Sequence, residues 1–166
     1  MKQFMAYLLL VLIALVLGYP YHATQMPYAL LGLLIWGFIE YSFHRWIFHY
    51  NETPQNLLAY SHANHHEHPS DNEDLLLPLK LTVPVSILVF VLACVLIGVS
   101  GAAFLYTGLF IGCGVYEYIH HANHHGKSKR PILRWLRKYH LQHHFKEPSS
   151  HYGVTSPLFD YVFRTN

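Results

Sequence analysis

Histidines are concentrated in four short clusters, which read "HRWIFH" at 44–49, "HANHH" at 62–66, "HHANHH" at 120–125 and "HLQHH" at 140–144. The chain has 15 histidines in 166 residues, and all but one of them follow residue 43. Imidazole is the commonest nitrogen ligand for zinc, copper, iron and nickel. The clusters therefore predict a metal site.

The spacing inside the clusters favours chelation, because residues three or four apart share one face of a helix. Three sets show this spacing: His62, His65 and His66; His140, His143 and His144; and the pair His120 and His124. The pair His121 and His125 fits equally well, so spacing alone leaves the register of the third cluster open.

The first cluster is different, because His44 and His49 are five residues apart. They lie about 140° apart around a regular helix, so they either bind different ions or one of them lies past the helix end. One ion takes about six ligands at most, so the ten well-placed histidines imply two ions. Besides His121 and His125, three histidines are left outside this set: His22, His68 and His151.

Two acidic residues stand in apolar surroundings close to the clusters. Glu40 precedes His44 by one turn, and Glu117 precedes His120 by three residues. An unpaired acid at a membrane boundary is costly, and the second ring nitrogen of a metal-bound histidine is usually held by a carboxylate or a carbonyl. We interpret both acids as residues that orient the ligands from outside. His121 and His125 are candidates for the same role.

The composition is that of a membrane protein. Hydrophobic residues make up 52% and charged residues only 12% of the chain, whereas soluble domains carry about 25% charged residues. Residues 4–18, 27–39 and 81–116 contain no charge at all. We predict an all-α integral membrane protein, a single domain over residues 1–166, with four transmembrane helices at about 4–20, 27–48, 79–98 and 102–121.

The basic residues predict the orientation, since cytoplasmic loops carry the excess of Lys and Arg. The connections near 20–26 and 98–102 contain neither residue type, so all 11 basic residues lie on the opposite side. Both termini and the segments 49–78 and 122–166 are then cytoplasmic and form a His-rich helical cap that holds the two metals. The basic stretch "KSKRPILRWLRK" at 127–138 either anchors the protein to anionic lipid headgroups or docks an acidic redox partner.

The four clusters, in this order and separated by hydrophobic helices, resemble the histidine boxes of the membrane fatty acid hydroxylase and sterol desaturase superfamily. The closing "HYGVTSPLFDYVF" at 151–163 resembles the segment after the last box of fatty acid 2-hydroxylases. The resemblance covers about residues 35–164, and no segment of this chain resembles the cytochrome b5 domain that some members carry. It implies that the ligands of a di-metal centre are His44, His49, His62, His65, His66, His120, His124, His140, His143 and His144.

The resemblance further implies an O2-dependent, non-haem di-iron hydroxylase that converts a C–H bond of a lipid acyl chain into C–OH. Two iron ions are the expected cofactors, and zinc could replace them in isolated protein, since such sites do not favour Fe(II) by affinity. A separate electron-transfer protein, cytochrome b5-like or ferredoxin-like, is expected to supply electrons. The lipid substrate lies in the membrane, and no nucleic acid partner is expected.

Two other functions fit parts of this pattern. A carotenoid ring hydroxylase or a sterol desaturase would use the same scaffold, and only product analysis separates them from an acyl-chain hydroxylase. A histidine-rich metal transporter would need ionisable residues deep within the spans, and residues 81–116 contain none with a formal charge. The short chain without a donor domain favours a bacterial inner membrane, and the endoplasmic reticulum stays open.

Overall fold

The computed structural model describes residues 22–49, 56–70 and 79–166, together with Leu9, Leu12, Ile13 and Val16. Within these residues the regular structure is helical and contains no strand, which confirms the all-α prediction for them. The α-helices are α1 (His22–Phe43), α2 (Leu57–Glu67), α3 (Leu79–His125), α4 (Pro131–Phe145) and α5 (Leu158–Phe163). A π-helical turn, His44–Phe48, directly follows α1.

The described helices overlap three of the four predicted spans, and the number of transmembrane spans stays a prediction. The predicted span 27–48 corresponds to α1 and the π-helical turn together. The predicted spans 79–98 and 102–121 both fall within α3, whose backbone is interrupted at Gly98 with φ 74° and ψ 163°. Glycine adopts a positive φ at little cost. The interruption lies at the start of the predicted connection, 98–102. Most of the predicted first span, 4–20, lies outside the described residues.

Two described segments, Thr24–Phe48 and Val83–His125, are long and apolar enough to cross a membrane. In their most apolar windows only 17% and 6% of the residues, respectively, are buried within the protein. Val95 and Leu96, for example, are each 80% exposed. Apolar surface of this extent needs a cover, and a lipid bilayer provides one, so these helices support membrane association.

The chain divides into two compact units, Met1–Trp36 with Leu77–Gly114 and Gly37–Leu76 with Val115–Asn166. This division does not test the prediction of a single functional domain over 1–166, which stays a prediction. In the first unit, α1 and α3 approach each other at glycines: a Cβ on Gly108 would lie 2.0 Å from the carbonyl oxygen of Ala29. Small residues allow the backbones of membrane helices to pack this closely.

The second unit contains all four histidine clusters. Its hydrophobic core is formed by Ile119, Leu136 and Val154. The end of α1 packs on α5 through the rings of Tyr41 and Phe163, which are stacked with centroids 5.2 Å apart. Helix α2 begins where the side chain of Asn56 accepts a hydrogen bond from the backbone N–H of Ala59, and α4 begins with Pro131 in its first turn. Both are favourable helix starts, and they fix the two helices that carry six of the ten histidines predicted as ligands.

Candidate metal centre

The ten histidines predicted as ligands come together in the second unit as two groups of five. Within each group, one ring nitrogen from every histidine lies within 4.8 Å of the others. The His44 group consists of His44, His49, His62, His66 and His143, and the His65 group consists of His65, His120, His124, His140 and His144. The three histidines His65, His140 and His143 are completely buried.

The π-helical turn explains how His44 and His49 reach the same group. In this turn the N–H of His49 donates to the carbonyl of His44 over 3.2 Å, a bond between residues five apart. Such a bond places residues five apart one above the other, whereas a regular helix would turn them away from each other. His49 lies just past the turn, as one of the two alternatives from the sequence requires. Short π-helical segments are frequent at functional sites.

Helices α2 and α4 each contribute histidines to both groups. His62 and His66 of α2 belong to the His44 group, and His65 between them belongs to the His65 group. On α4, His143 belongs to the first group, whereas His140 and His144 belong to the second. One helix face therefore supplies two neighbouring sites.

In the third cluster, His120 and His124 of α3 join the His65 group. The rings of His121 and His125 lie beside each other, with centroids 4.7 Å apart, and belong to neither group. The side chain of His121 is exposed. The geometry therefore favours the first of the two registers that spacing left open.

The distances between ring nitrogens in the His44 group are those of ligands to one ion. The Nε2 atom of His62 lies 2.9–3.1 Å from three other Nε2 atoms, those of His44, His49 and His66. A neutral imidazole nitrogen carries one hydrogen or one lone pair, so it cannot form three hydrogen bonds. Two nitrogens bound to one ion at about 2.0–2.1 Å lie roughly 2.9–3.4 Å apart. The convergence therefore fits metal coordination better than hydrogen bonding.

The His65 group shows the same features. The Nε2 atoms of His65 and His120 lie 3.2 Å apart, and those of His124 and His140 lie 2.9 Å apart. Both ring nitrogens of His144 are buried without a hydrogen-bond partner among the described residues. A buried polar atom left without a partner costs about 1–3 kcal/mol, and an ion bound at Nε2 would satisfy that atom. A set of neutral imidazoles suits iron, zinc, copper or nickel rather than magnesium or calcium.

Burial keeps these imidazoles neutral. It lowers the pKa of His62 and His140 well below the usual value, and neighbouring histidines lower it further. Burial also lowers the pKa of His49 to about 4 and that of His66 to about 3, with a further contribution at His66 from His49 and His65. A neutral imidazole offers the lone pair that a metal ion requires, so the site is ready to bind metal at neutral pH.

These pKa shifts predict that the metal-free protein loses stability in mild acid. The unfolded chain takes up protons on its histidines near pH 6.5, whereas folded His49 and His66 take them up only near pH 4 and 3. The unfolded state therefore binds more protons below about pH 6.5, and the free energy of unfolding falls as the pH falls. Thermal unfolding of chelator-treated protein should show a stable midpoint between about pH 7 and 8 and a lower midpoint near pH 5.5. An unchanged midpoint at pH 5.5 would contradict this account of the histidines.

Two histidines of the His44 group are oriented by backbone carbonyls. The Nδ1 atom of His44 lies 2.5 Å from the carbonyl oxygen of Tyr152, and Nδ1 of His143 lies 2.7 Å from that of Ser150. A carbonyl oxygen only accepts hydrogen bonds, so each Nδ1 carries the hydrogen. Nε2 then carries the lone pair and faces the group. Sequence reasoning missed these two positions, because a backbone carbonyl has no residue-type signal.

The two acidic residues are both buried, Glu40 with 7% exposure and Glu117 with none. The Oε1 atom of Glu40 accepts hydrogen bonds from the backbone N–H groups of Val154 and Thr155, and its Oε2 accepts one from the Thr155 hydroxyl. Glu40 thus holds the segment that follows Ser150 and Tyr152. The outside orienting role of both acids, and of His121 and His125, stays a prediction.

Comparison with known proteins places the chain in a family. The sequence profile of the fatty acid hydroxylase family matches residues 29–165. Dihydroceramide fatty acyl 2-hydroxylase FAH1 of Arabidopsis thaliana is 34% identical over 146 residues, which cover 84% of this chain and 60% of that protein. Ceramide very long chain fatty acid hydroxylase SCS7 of Saccharomyces cerevisiae is 34% identical over 140 residues, with 81% and 36% covered.

A solved structure described as full-length scs7p, with only the hydroxylase domain visible, is similar to this chain with a TM-score of 0.82 and 29% sequence identity. The match covers 97% of this chain and 64% of that one. This chain spans about 60% of the length of the Arabidopsis relatives it matches. The profile match over residues 29–165 confirms the resemblance seen in the histidine boxes, and the chain belongs to the fatty acid hydroxylase family.

Proposed function

We propose that the protein is an O2-dependent di-iron hydroxylase of a lipid acyl chain, which converts C–H to C–OH as a fatty acid 2-hydroxylase does. The convergence of ten histidines from four boxes into two groups, in a member of this family, is the observation that supports it. The names of the similar proteins from Arabidopsis and yeast describe fatty acyl or fatty acid hydroxylation in dihydroceramide or ceramide. A lipid of that class is therefore the proposed substrate.

Each group would hold one ion through its five imidazoles. Two iron ions bound there would supply O2 activation and the insertion of one oxygen atom into the C–H bond. Each turnover requires two electrons and two protons from outside the chain, and the second oxygen atom leaves as water. Burial of His65, His140 and His143 keeps bulk water away from the ligands. The carbonyls of Tyr152 and Ser150 keep two of the ligands in the tautomer that binds metal.

The proposed arrangement in the membrane has four transmembrane helices, with both termini and the histidine groups on the cytoplasmic side. The absence of Lys and Arg from residues 20–26 and 98–102 supports this orientation. A bacterial inner membrane remains the proposed location. A separate cytochrome b5-like or ferredoxin-like protein is the proposed electron donor. A groove lined by the cations Lys127, Arg134, Arg137, Lys138 and Lys146 offers an acidic protein a complementary surface.

Metal analysis combined with lipid mass spectrometry tests the proposal. We expect two irons per chain in protein purified without oxygen, and lipids heavier by one oxygen atom in cells that express it. Cells that carry the empty vector are the control. Lipids that have lost two hydrogens would indicate a desaturase, and oxygenated carotenoids a ring hydroxylase. Bound metal with no change in any lipid would favour metal handling, and absence of bound metal would refute the site.

A further inference from the structure

The segment from Ser150 to Thr155 holds two ligands of the His44 group, and it is itself held by buried side chains. The carboxylate of Asp160 on α5 is completely buried. Its Oδ2 accepts a hydrogen bond from the N–H of Gly153 over 2.8 Å, and its Oδ1 accepts one from the N–H of Tyr152 over 2.9 Å. A buried carboxylate is stable only when its oxygens are satisfied in this way.

The first of these bonds connects Asp160 to His44 across one peptide group. The N–H of Gly153 and the carbonyl of Tyr152 belong to the same planar peptide unit, so fixing one fixes the direction of the other. Asp160 holds the N–H side, and the Nδ1–H of His44 donates to the carbonyl side.

A second connection runs from Asp160 to His143 through Thr165. The hydroxyl of Thr165 donates to Oδ1 of Asp160 over 2.8 Å, and the backbone N–H of Thr165 donates to the carbonyl of Asp160. The carbonyl of Thr165 in turn accepts from the N–H of His151 over 2.7 Å. That N–H shares a peptide unit with the carbonyl of Ser150, which accepts from Nδ1 of His143.

One of the two residues between these peptide units has a strained backbone. His151 has φ 60°, a left-handed conformation that costs energy for any residue other than glycine. Such a conformation persists only where the surroundings fix it. His151 lies between the carbonyls that accept hydrogen bonds from His44 and His143. Its own N–H donates to the carbonyl of Thr165, and the N–H of the next residue, Tyr152, donates to the carboxylate of Asp160.

We infer that Asp160 is a positioning residue of the His44 group. Its carboxylate accepts hydrogen bonds from Gly153, Tyr152 and Thr165. These bonds fix the carbonyls that hold His44 and His143 in their metal-binding tautomer. The inference rests on the proposed metal centre. The two carbonyls that Asp160 fixes hold His44 and His143, and both of these histidines belong to the His44 group, so the inference concerns that group. Loss of Asp160 should therefore affect one ion and spare the other.

Asp160→Asn is the sharpest test, because it keeps the size of the side chain. The amide has one oxygen, so in either orientation its NH2 faces the backbone N–H of Tyr152 or of Gly153. Two donors then face each other, and one peptide unit loses its anchor. Residues that orient ligands typically change metal affinity by about 10–100-fold when replaced.

Zinc is the probe, since its binding is independent of oxygen chemistry and of hydroxylase activity. After dialysis against a zinc buffer, we expect two zinc ions per wild-type chain and one per Asp160→Asn chain. Added to His65→Ala, the change should reduce zinc from one ion to none. Added to His143→Ala, it should leave one ion in place. This difference separates a role in the His44 group from general loss of stability.

Two further variants complete the design. Glu147→Gln removes the same charge from an exposed side chain and should retain both ions. Thr165→Val removes the hydrogen bond from the Thr165 hydroxyl to Oδ1 of Asp160. It should weaken the binding of the same ion to a smaller extent, even if Asp160→Asn fails to fold. Equal loss from both groups, or full retention in folded Asp160→Asn and Thr165→Val, would overturn the inference, as would a wild-type chain without zinc. A wild-type protein that binds two zinc ions yet forms no hydroxylated lipid would defeat the proposed activity alone.

Discussion

Replacing His143 with alanine should remove one of two metal ions and abolish hydroxylation. His143 is completely buried, and its Nε2 lies 3.0 Å from Nε2 of His49 in the same group. Because even residues that only orient ligands affect metal affinity by about 10–100-fold, loss of a ligand should reduce turnover more than about 100-fold. His65→Ala should do the same through the other group. Metal content per chain and hydroxylated lipid in expressing cells are the measurements.

The control for both variants is a histidine outside the two groups. His22 lies outside all four clusters, so His22→Ala should retain both ions and full turnover, as the sequence predicts. Retained turnover in His143→Ala or His65→Ala would refute their assignment as ligands.

Gly108→Ala should destabilise the first unit, although it adds only one methyl group. That methyl would lie 2.0 Å from the carbonyl oxygen of Ala29 and 2.9 Å from the backbone nitrogen of Leu33. Both contacts are with backbone, so α1 and α3 must move apart. Overpacking of this kind typically costs about 1–3 kcal/mol. The thermal unfolding midpoint of the purified protein in detergent should fall accordingly.

Gly114→Ala is the matched control on the same helix. A Cβ at Gly114 meets no atom within 4 Å among the described residues. Alanine has the higher helix propensity, so this variant should gain about 0.5–1 kcal/mol. If Gly108→Ala were as stable as Gly114→Ala, the close approach of the two helices would be wrong.

The sequence by itself determined the helical class and the family, and it predicted the set of ten histidines. The helical class follows from the length of the uncharged stretches. Spacings of three or four residues indicate the second and fourth boxes, whereas the resemblance supplies His44 and His49 and selects His120 and His124 in the third box. A spacing rule acts within one helix, so it identifies a face rich in imidazole without knowledge of the rest of the chain. The same local information placed a turn near Gly98, where the backbone leaves the helical conformation.

The tertiary structure alone decided how the ten histidines are shared between the two groups. His62 and His65 lie on one face of α2, but His62 meets His44 and His49 at the π-helical turn, whereas His65 meets His120 of α3. His44 and His49 meet because the backbone winds as a π-helix, which a calculation for a regular helix excludes. No spacing signal marks the carbonyls of Ser150 and Tyr152 or the carboxylate of Asp160. Their roles depend on tertiary contacts, and the contact between His44 and Tyr152 joins residues more than 100 positions apart.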